Sequence, residues 1–323
     1  MSQGKILVTG AAGFVGGYVL AALRERDAQV VGLVRRQAQG AKLKALGAEP
    51  VLGDVTDQAS LTRAMEGVEA VIHLAAVNRD RGGVSMEAVN YRGTVNVLGA
   101  ARAAGVQRLV QVIGIGADSR RSSPLSRTQG LAAEAVLNAD VPATVLEAGV
   151  IYERGDAFTS MITGLMRVSP IAVVPGDGKA RFEPISAHDV GAAAANALAM
   201  PETVGQRYQI VGPEVVPLDR VYDHLLRVLE IRRPKLHVSA SLLRPMVRLM
   251  DRFLPEPPVT TALLDLLQLD ILARDNAAEL LLGRRPRVFG EQLAYVREVT
   301  AGQFLAVIFG RQNRRDTIRE LSG

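Results

Sequence analysis

Glycines at positions 10, 13 and 16 stand directly behind the aliphatic run Ile6-Leu7-Val8, and their spacing points at phosphate chemistry. In a strand–turn–helix context, Gly10 lets the chain turn sharply and Gly13 lets the backbone approach a pyrophosphate. Gly16 then lets the next helix pack close to the strand. The phosphates would lie at the helix N-terminus, where unpaired N–H groups and the positive end of the dipole favour an anion. Val15, Val19, Leu20 and Leu23 share one face of that expected helix. An ordinary βα turn uses glycine for geometry alone. The nucleotide reading therefore rests on the alternating pattern that continues behind this loop.

Other chemistries are thinly represented. The chain has no cysteine, which excludes disulfides and thiolate zinc sites and fits a reducing, cytoplasmic setting. Neither a metal-ligand cluster nor an Asp–His–Ser arrangement occurs at usable spacing, so no metal is expected. His73 and His188 stand in a strand-end motif and a loop motif, and both are read as structural.

The elements that must position these residues follow from periodicity. The pattern predicts strands at 5–9, 29–34, 49–52, 70–74, 108–113 and 143–148, with helices at about 15–26, 58–66, 87–104 and 125–138. This alternation argues for an α/β fold with a doubly wound parallel sheet. Beyond 150 the pattern loosens. Residues 151–160 read as a loop, 175–178 as a turn, and the alanine-rich segment 187–200 as a tightly packed helix. Apolar helical stretches are expected at 218–229, 240–254 and 260–282, punctuated by Pro255-Glu-Pro-Pro258 and Pro286.

Composition sets further bounds. With 323 residues, 48% hydrophobic and 22% charged, the chain can bury a full core. No apolar run reaches bilayer length, and a first strand at Lys5 leaves no room for a signal peptide, so a cytoplasmic location is expected. Residues 1–230 carry 23 basic and 23 acidic groups, whereas 231–323 carry 15 and 10, so the net charge of +5 belongs to the last 93 residues. Aromatic content is 4% with no basic–aromatic interleaving, which argues against a nucleic-acid partner.

The chain resembles the extended short-chain dehydrogenase/reductase superfamily, and within it the atypical, epimerase/dehydratase-like branch that includes the nucleotide-binding accessory subunit of respiratory complex I. The resemblance rests on Thr9-Gly-Ala-Ala-Gly-Phe-Val-Gly16, Gly53-Asp54-Val55, His73-Leu-Ala-Ala76, Val89-Asn90-Tyr-Arg-Gly-Thr94, Val150-Ile-Tyr152 and His188-Asp189-Val190. Leu269 to Asn276 and Phe289-Gly-Glu-Gln-Leu-Ala-Tyr295 look like the tail of the complex I-related branch. The resemblance implies a Rossmann domain over 1–155 with return segments near 182–212, and a smaller, mostly helical C-terminal lobe over 156–323. It places Gly10, Ala12, Gly13, Phe14, Val15 and Gly16 around the pyrophosphate and Asp54 and Val55 at the adenine. Leu74, Ala75, Ala76 and Asn90 fall on the nicotinamide-ribose side. Arg35 and Arg36 follow the second strand, where NAD sites usually place a carboxylate. Arginine there suits a 2′-phosphate, so NADP(H) is expected over NAD(H).

Family catalysis requires a tyrosine, a lysine four residues later, and a serine at the end of the fifth strand. Here the tyrosine position falls on Leu125, the lysine position on Gln129 and the serine position near Gly114. No Tyr-x-x-x-Lys exists in the chain, and none of its five lysines lies between 45 and 178. Leucine cannot transfer a proton, and glutamine carries no charge to shift a neighbour's pKa. Ser122, Ser123, Ser126 and Thr128 lie nearby as unactivated hydroxyls. Arg127 stays protonated and could polarise a carbonyl but not shuttle a proton, and Tyr152 has no visible activating partner. Where relatives often carry Arg-Pro after the sixth strand, this chain has Glu147-Ala148.

The basic C-terminal third adds an interaction surface to these expectations. In 242–254, Leu243, Met246, Val247, Met250 and Leu254 are read as one helical face and Arg244, Arg248 and Arg252 as another. The apolar run Phe304-Leu-Ala-Val-Ile-Phe309 is followed by Arg311, Arg314, Arg315 and Arg319. Either feature suits a membrane surface or a partner subunit. The expectation is an NADP(H)-binding accessory subunit of a membrane-associated redox complex, cytoplasmic or peripheral on the membrane's cytoplasmic face. The alternatives are a reductase or epimerase with a non-standard proton donor, or a soluble redox sensor resembling the nitrogen-metabolite-repression regulators.

Overall fold

A computed structural model describes residues 4–254 and 257–310. Pro255 and Arg311, Arg314, Arg315 and Arg319, singled out above, lie outside the described residues. The chain divides into two compact units. The first comprises residues 1–148, 187–210 and 273–286, and the second comprises 149–186, 211–272 and the residues from Arg287 onward.

The first unit alternates β1 (Lys5–Thr9), α1 (Phe14–Arg24), β2 (Val30–Val34), α2 (Gly40–Ala45) and β3 (Glu49–Leu52). It continues through α3 (Gln58–Ala64), β4 (Val68–His73), α4 (Gly93–Ala103), β5 (Arg108–Gly114), α5 (Pro124–Leu137) and β6 (Ala143–Ala148). The sheet has seven parallel strands in the order Arg207–Ile210, β6, β5, β4, β1, β2, β3. β2 and β6 are buried along their whole length, as strands covered on both faces must be. Leu7, Val71, Leu109 and Val145 join Leu61, Met65 and Val97 from the helices in one core. The doubly wound α/β class expected from periodicity is the observed one. The short α2 and the seventh strand go beyond that expectation.

Glycine explains one close packing. The alanine-rich helix Ala187–Leu198 lies against α1, and a Cβ at Gly191 would stand 2.6 Å from the Tyr18 carbonyl oxygen. Its Ala193, Ala194, Ala195 and Ala197 are buried. The segment 87–104, expected as one helix, opens instead with a π-helical stretch, Glu87–Arg92, before α4.

The second unit is built from short strands and helices around Tyr152, Phe182 and Phe289. Two expectations are corrected here. Residues 151–160 hold the strand Ile151–Tyr152, paired with Ile185–Ser186, and the start of the helix Phe158–Val168. Buried Asp156 fixes that start by accepting from the Thr159 N–H at 2.6 Å. The stretch 260–282 is not one helix but two short ones, Thr261–Leu266 and Ala278–Leu282. Between them, Asp270 accepts from the Arg181 N–H at 2.8 Å and from its guanidinium at 2.6 Å. This holds Ile271 in a parallel bridge with Phe182, extended where a helix would otherwise run. Among the described residues, no helix is long and apolar enough to cross a membrane.

Candidate functional site

Because every strand of the first unit's sheet runs parallel, their C-terminal ends share one edge. Gly10, Arg35, Asp54, Leu74 and Gly114 all lie at or just beyond those ends. The order reverses between β1 and β4, the switch point where such sheets bind ligands.

The loop after β1 is built by backbone proximity. Gly10 has φ +69°, and a Cβ on it would stand 2.9 Å from the Leu74 carbonyl carbon. Gly13 donates its N–H to the Gly10 carbonyl at 2.8 Å, and a Cβ there would meet the same oxygen at 2.9 Å. A Cβ on Gly16 would press to 2.5 Å on the carbonyls of Gly10 and Ala11. Gly13 is the N-cap of α1, with no side-chain cap and no acidic residue in the first turn. Ala12, Phe14 and Val15 are half-buried around it. A glycine-lined helix N-terminus without a competing carboxylate fits a dinucleotide's pyrophosphate.

A buried hydrogen-bond network fixes the facing strand. His73 Nδ1 and Thr9 Oγ1 are 2.6 Å apart, and His73 Nε2 lies 2.9 Å from Thr94 Oγ1. Thr94 donates onward to the Asn90 carbonyl at 2.7 Å, so its oxygen is left to accept from His73 Nε2–H. That tautomer leaves Nδ1 to accept from Thr9. Thr9 Oγ1 accepts in turn from the N–H groups of Leu74 and Ala75 at 3.2 and 3.3 Å. Burial pushes the His73 imidazole down to about 4, so it is neutral in the folded protein. His73 is structural, as expected. The roles of Thr9 and Thr94 had no sequence signal beyond their place in the motifs.

Asn90 lies inside the π-helical stretch. Its amide accepts from the Val77 N–H at 2.8 Å and donates to the Val77 carbonyl at 2.9 Å. It thereby pins the chain that follows Ala75 and Ala76, which are half-buried and exposed respectively. Asp54, also half-buried, accepts from both the N–H and the hydroxyl of Thr56. Val55 is buried, and its carbonyl accepts from Asn96 at 2.9 Å. Arg35 and Arg36 are exposed at the end of β2. Their backbone N–H groups both reach Gln39 Oε1 at 3.2 Å, and neither guanidinium has a carboxylate partner among the described residues.

The dyad positions lie on the first turns of α5. Leu125 is half-buried, and Gln129 is buried with Oε1 accepting from the Gly114 N–H at 3.2 Å. Ser126 donates to the Gly116 carbonyl at 2.6 Å and Thr128 to the Pro124 carbonyl at 2.8 Å. The loop after β5 folds onto α5 so closely that a Cβ at Gly130 would stand 2.2 Å from the Ser119 nitrogen. Glu147, at the point of departure from the family pattern, is buried and paired with Arg207 on the neighbouring strand. In the second unit Tyr152 is fully buried, edge-on to Phe289 at 4.9 Å. Its hydroxyl reaches the Arg287 carbonyl at 3.4 Å.

A seven-stranded doubly wound sheet with a glycine cradle at its switch point is the architecture of a dinucleotide-binding Rossmann protein. The chain belongs to the NAD(P)H-binding family, whose profile matches residues 10–201. It is 30% identical to sterol demethylase protein B of Methylococcus capsulatus, over 77% of this chain and 83% of that protein. It is 28% identical to 2-alkyl-3-oxoalkanoate reductase of Stenotrophomonas maltophilia, over 79% and 87% of the two chains. Identity is 27% to NADH dehydrogenase [ubiquinone] 1 alpha subcomplex subunit 9 of Arabidopsis thaliana, over 84% and 71%. UDP-glucose 4-epimerase of Thermotoga maritima shares the fold, with a TM-score of 0.71 at 18% identity over 91% and 98%.

Two outcomes test this geometry. Gly13→Val is expected to lower dinucleotide affinity by about 100-fold (~2.7 kcal/mol), since its side chain would fill the cradle. Isothermal titration with NADPH measures it, and unchanged affinity would remove the loop from the site. His73 binds a proton near pH 6.5 when unfolded and only near 4 when folded. The unfolded state therefore gains protons first as pH falls, and stability drops between those two values. The loss is on the order of 3 kcal/mol. Urea midpoints of wild type and His73→Phe across that window should differ in slope, whatever their offset at neutral pH.

Proposed function

We propose that this protein holds NADP(H) without turning it over, as an accessory subunit of a membrane-associated redox complex of the complex I kind. The observation that carries this reading is the state of the dyad positions. Leu125 has no proton to exchange, and the Gln129 carbonyl is engaged by the Gly114 backbone. The hydroxyls of Ser126 and Thr128 are donated to carbonyls. Gly10, Gly13, Gly16 and the bare terminus of α1 would hold the pyrophosphate, with Ala12, Phe14 and Val15 around it. Arg35 and Arg36 would hold a 2′-phosphate, and Asp54 with Val55 the adenine. Leu74, Ala75 and Ala76 would flank the nicotinamide ribose, with Asn90 holding their loop. A bound nicotinamide could exchange a hydride, but none of these residues is placed to move the accompanying proton. Likeness to the plant alpha subcomplex subunit over most of the chain supports the assembly.

A second reading, an NAD(P)-dependent reductase with its proton supplied elsewhere, is favoured by relatives that are themselves named as reductases.

Recovery of the tagged protein from its own cells in mild detergent separates the two. Respiratory-chain subunits in stoichiometric yield with NADP(H) retained would support the accessory role. A protein recovered alone that oxidises NADPH with a ketone substrate would overturn it. Replacing Arg35 with Asp and Arg36 with Ser is expected to weaken NADPH binding roughly 10- to 100-fold through lost charge-assisted contacts. NADH affinity should change little, and equal losses for the two cofactors would mean that the pair does not read the 2′-phosphate.

A further inference from the structure

The helix Ala240–Phe253 of the second unit is turned differently from the sequence pattern. Of the apolar residues expected to share its inner face, only Val247 is fully buried. Leu243, Met250 and Leu254 are half-buried, and Met246 points outward. Leu242, Met246, Leu249 and Phe253 form an outer line instead, exposed by 74%, 53%, 59% and 68%. Their spacing of four, three and four residues puts all of them within about 60° of helix circumference. Large apolar side chains gathered in one exposed line mark a contact surface, whereas scattered ones need no explanation.

The charged side chains lie round the helix from that line. Asp265 accepts from Arg244 at 2.5 Å, and Asp251 accepts from the Thr261 N–H at 3.0 Å, so the helix Thr261–Leu266 holds the far side. Arg244 stands about 170° from the centre of the apolar line, Arg248 about 130° and Arg252 about 90°. The line itself contains no charge. Residues 211–272 carry eight acidic and eight basic groups, so this stretch has no net charge to draw a partner of either sign. Whatever covers the line must match it by shape and apolarity.

The spacing supplies such a match. Four, three and four reads the same from either end, so the line is symmetric about the point midway between Val247 and Arg248. A two-fold axis there sets two copies of the helix antiparallel, the self-complementary arrangement that an isologous contact requires. At about 1.5 Å rise per residue, Leu242 and Phe253 lie about 8 Å on either side of the midpoint, and Met246 and Leu249 about 2 Å. Leu242 of one copy then meets Phe253 of the other, and Met246 meets Leu249. In each pair the two residues fall on opposite sides of the line's centre, so they pack side by side rather than end on. Alternating steps of four and three are the spacing of a coiled-coil seam.

We propose that this face binds a second copy of the chain, with the two helices antiparallel across a two-fold axis at that midpoint. The arrangement also keeps like charges apart. Arg252, the charge nearest the line, falls beside the exposed Ser241 and Pro245 of the second copy. It lies roughly 14 Å along the axis from the other Arg252, beyond the screening length of about 8 Å at physiological salt. Eight large apolar side chains leave water in a contact at the small end of specific interfaces, which gives a dissociation constant on the order of 10 μM. The proposal goes beyond the accessory-subunit reading and does not rest on it, and a monomeric protein would leave that reading intact.

Analytical ultracentrifugation of the purified full-length protein, from about 1 to about 100 μM, is the experiment. Wild type should pass from monomer to dimer across that range. Leu249→Glu with Phe253→Glu puts carboxylates into the seam and should weaken association roughly 100-fold. Both positions are exposed, so the urea unfolding midpoint of this variant should match wild type. The chain has no cysteine, so Leu242→Cys and Phe253→Cys each introduce a single thiol. A bismaleimide spanning about 8 Å should join one variant to the other in a mixture, and should not join either variant to itself, where the thiols stand about 16 Å apart. A wild type that stays monomeric throughout would overturn the proposal, and binding of that monomer to phosphatidylcholine vesicles would name lipid as the occupant instead. A dimer that the glutamate pair leaves intact would overturn it too. So would variants that cross-link to themselves as readily as to each other, since the helices would then not be antiparallel about this midpoint.

Discussion

The hydrogen bond between Thr9 and His73 joins the ends of β1 and β4 at the one place where the sheet's winding reverses. Loops leaving these neighbouring strands run in opposite directions, and a crevice opens between them. Its shape depends on how closely the two backbones approach. Thr9 Oγ1 also takes the N–H groups of Leu74 and Ala75, which draws the second loop against Gly10. A side chain on Gly10 would strike the Leu74 backbone, so the absence of a Cβ and the threonine bridge are two parts of one constraint. Burial keeps His73 neutral, so it can accept at one nitrogen and donate at the other. Protonation would put two donors on the ring and break the Thr9 contact.

At the neighbouring strand end, hydrogen bonds again tie side chains to the backbone. A general acid needs a proton it can release and a partner that sets its pKa. Around Gly114 three of the polar side chains are paired with the backbone. Gln129 accepts from Gly114, Ser126 donates to Gly116 and Thr128 donates to Pro124. Gly130 lets the loop after β5 pack directly onto α5. These contacts fix the local conformation at the end of β5.

Most of the first unit was legible because its signals are local. Buried parallel strands read as short aliphatic runs, and Gly13 and Gly16 of the first loop are demanded by backbone contacts only a few residues away. The absence of a Tyr-x-x-x-Lys pair needed no structure at all. What was not legible depends on distant partners. The strand Arg207–Ile210 grades from exposed to buried along its length and takes its identity from β6 beside it. Residues 260–282 are apolar enough for a helix, yet Asp270 binds Arg181 and turns the middle of the stretch into a bridge. Asn90 looks like a helical residue near a cofactor, while its amide is occupied by Val77. In 240–254 the periodicity located the helix but not its orientation. Large apolar residues occupy nearly half of its circumference, and only contact with the rest of the unit decides which of them turn inward.

The treatment of helix starts bears on what the glycine cradle could do where Leu125 and Gln129 hold the dyad positions. Asp57 caps α3, Thr260 caps Thr261–Leu266 and Thr300 caps Ala301–Ile308, each through a side-chain oxygen, whereas α2, α4 and α5 start without one, as α1 does. α1, the first helix of the sheet, has Gly13 at that position and no acid in its first turn. A side-chain cap there would contribute about 1 kcal/mol to the unliganded protein. It would also place a competing oxygen where a phosphate must sit. With the terminus bare, a bound anion can add to stability there. A ligand present at a hundred times its dissociation constant adds about 2.7 kcal/mol to the folded state, with no reaction required. On the proposed reading this linkage is the function of the site: the nucleotide fastens β1, α1 and β4 together and reports cofactor supply as the stability of whatever the protein is attached to.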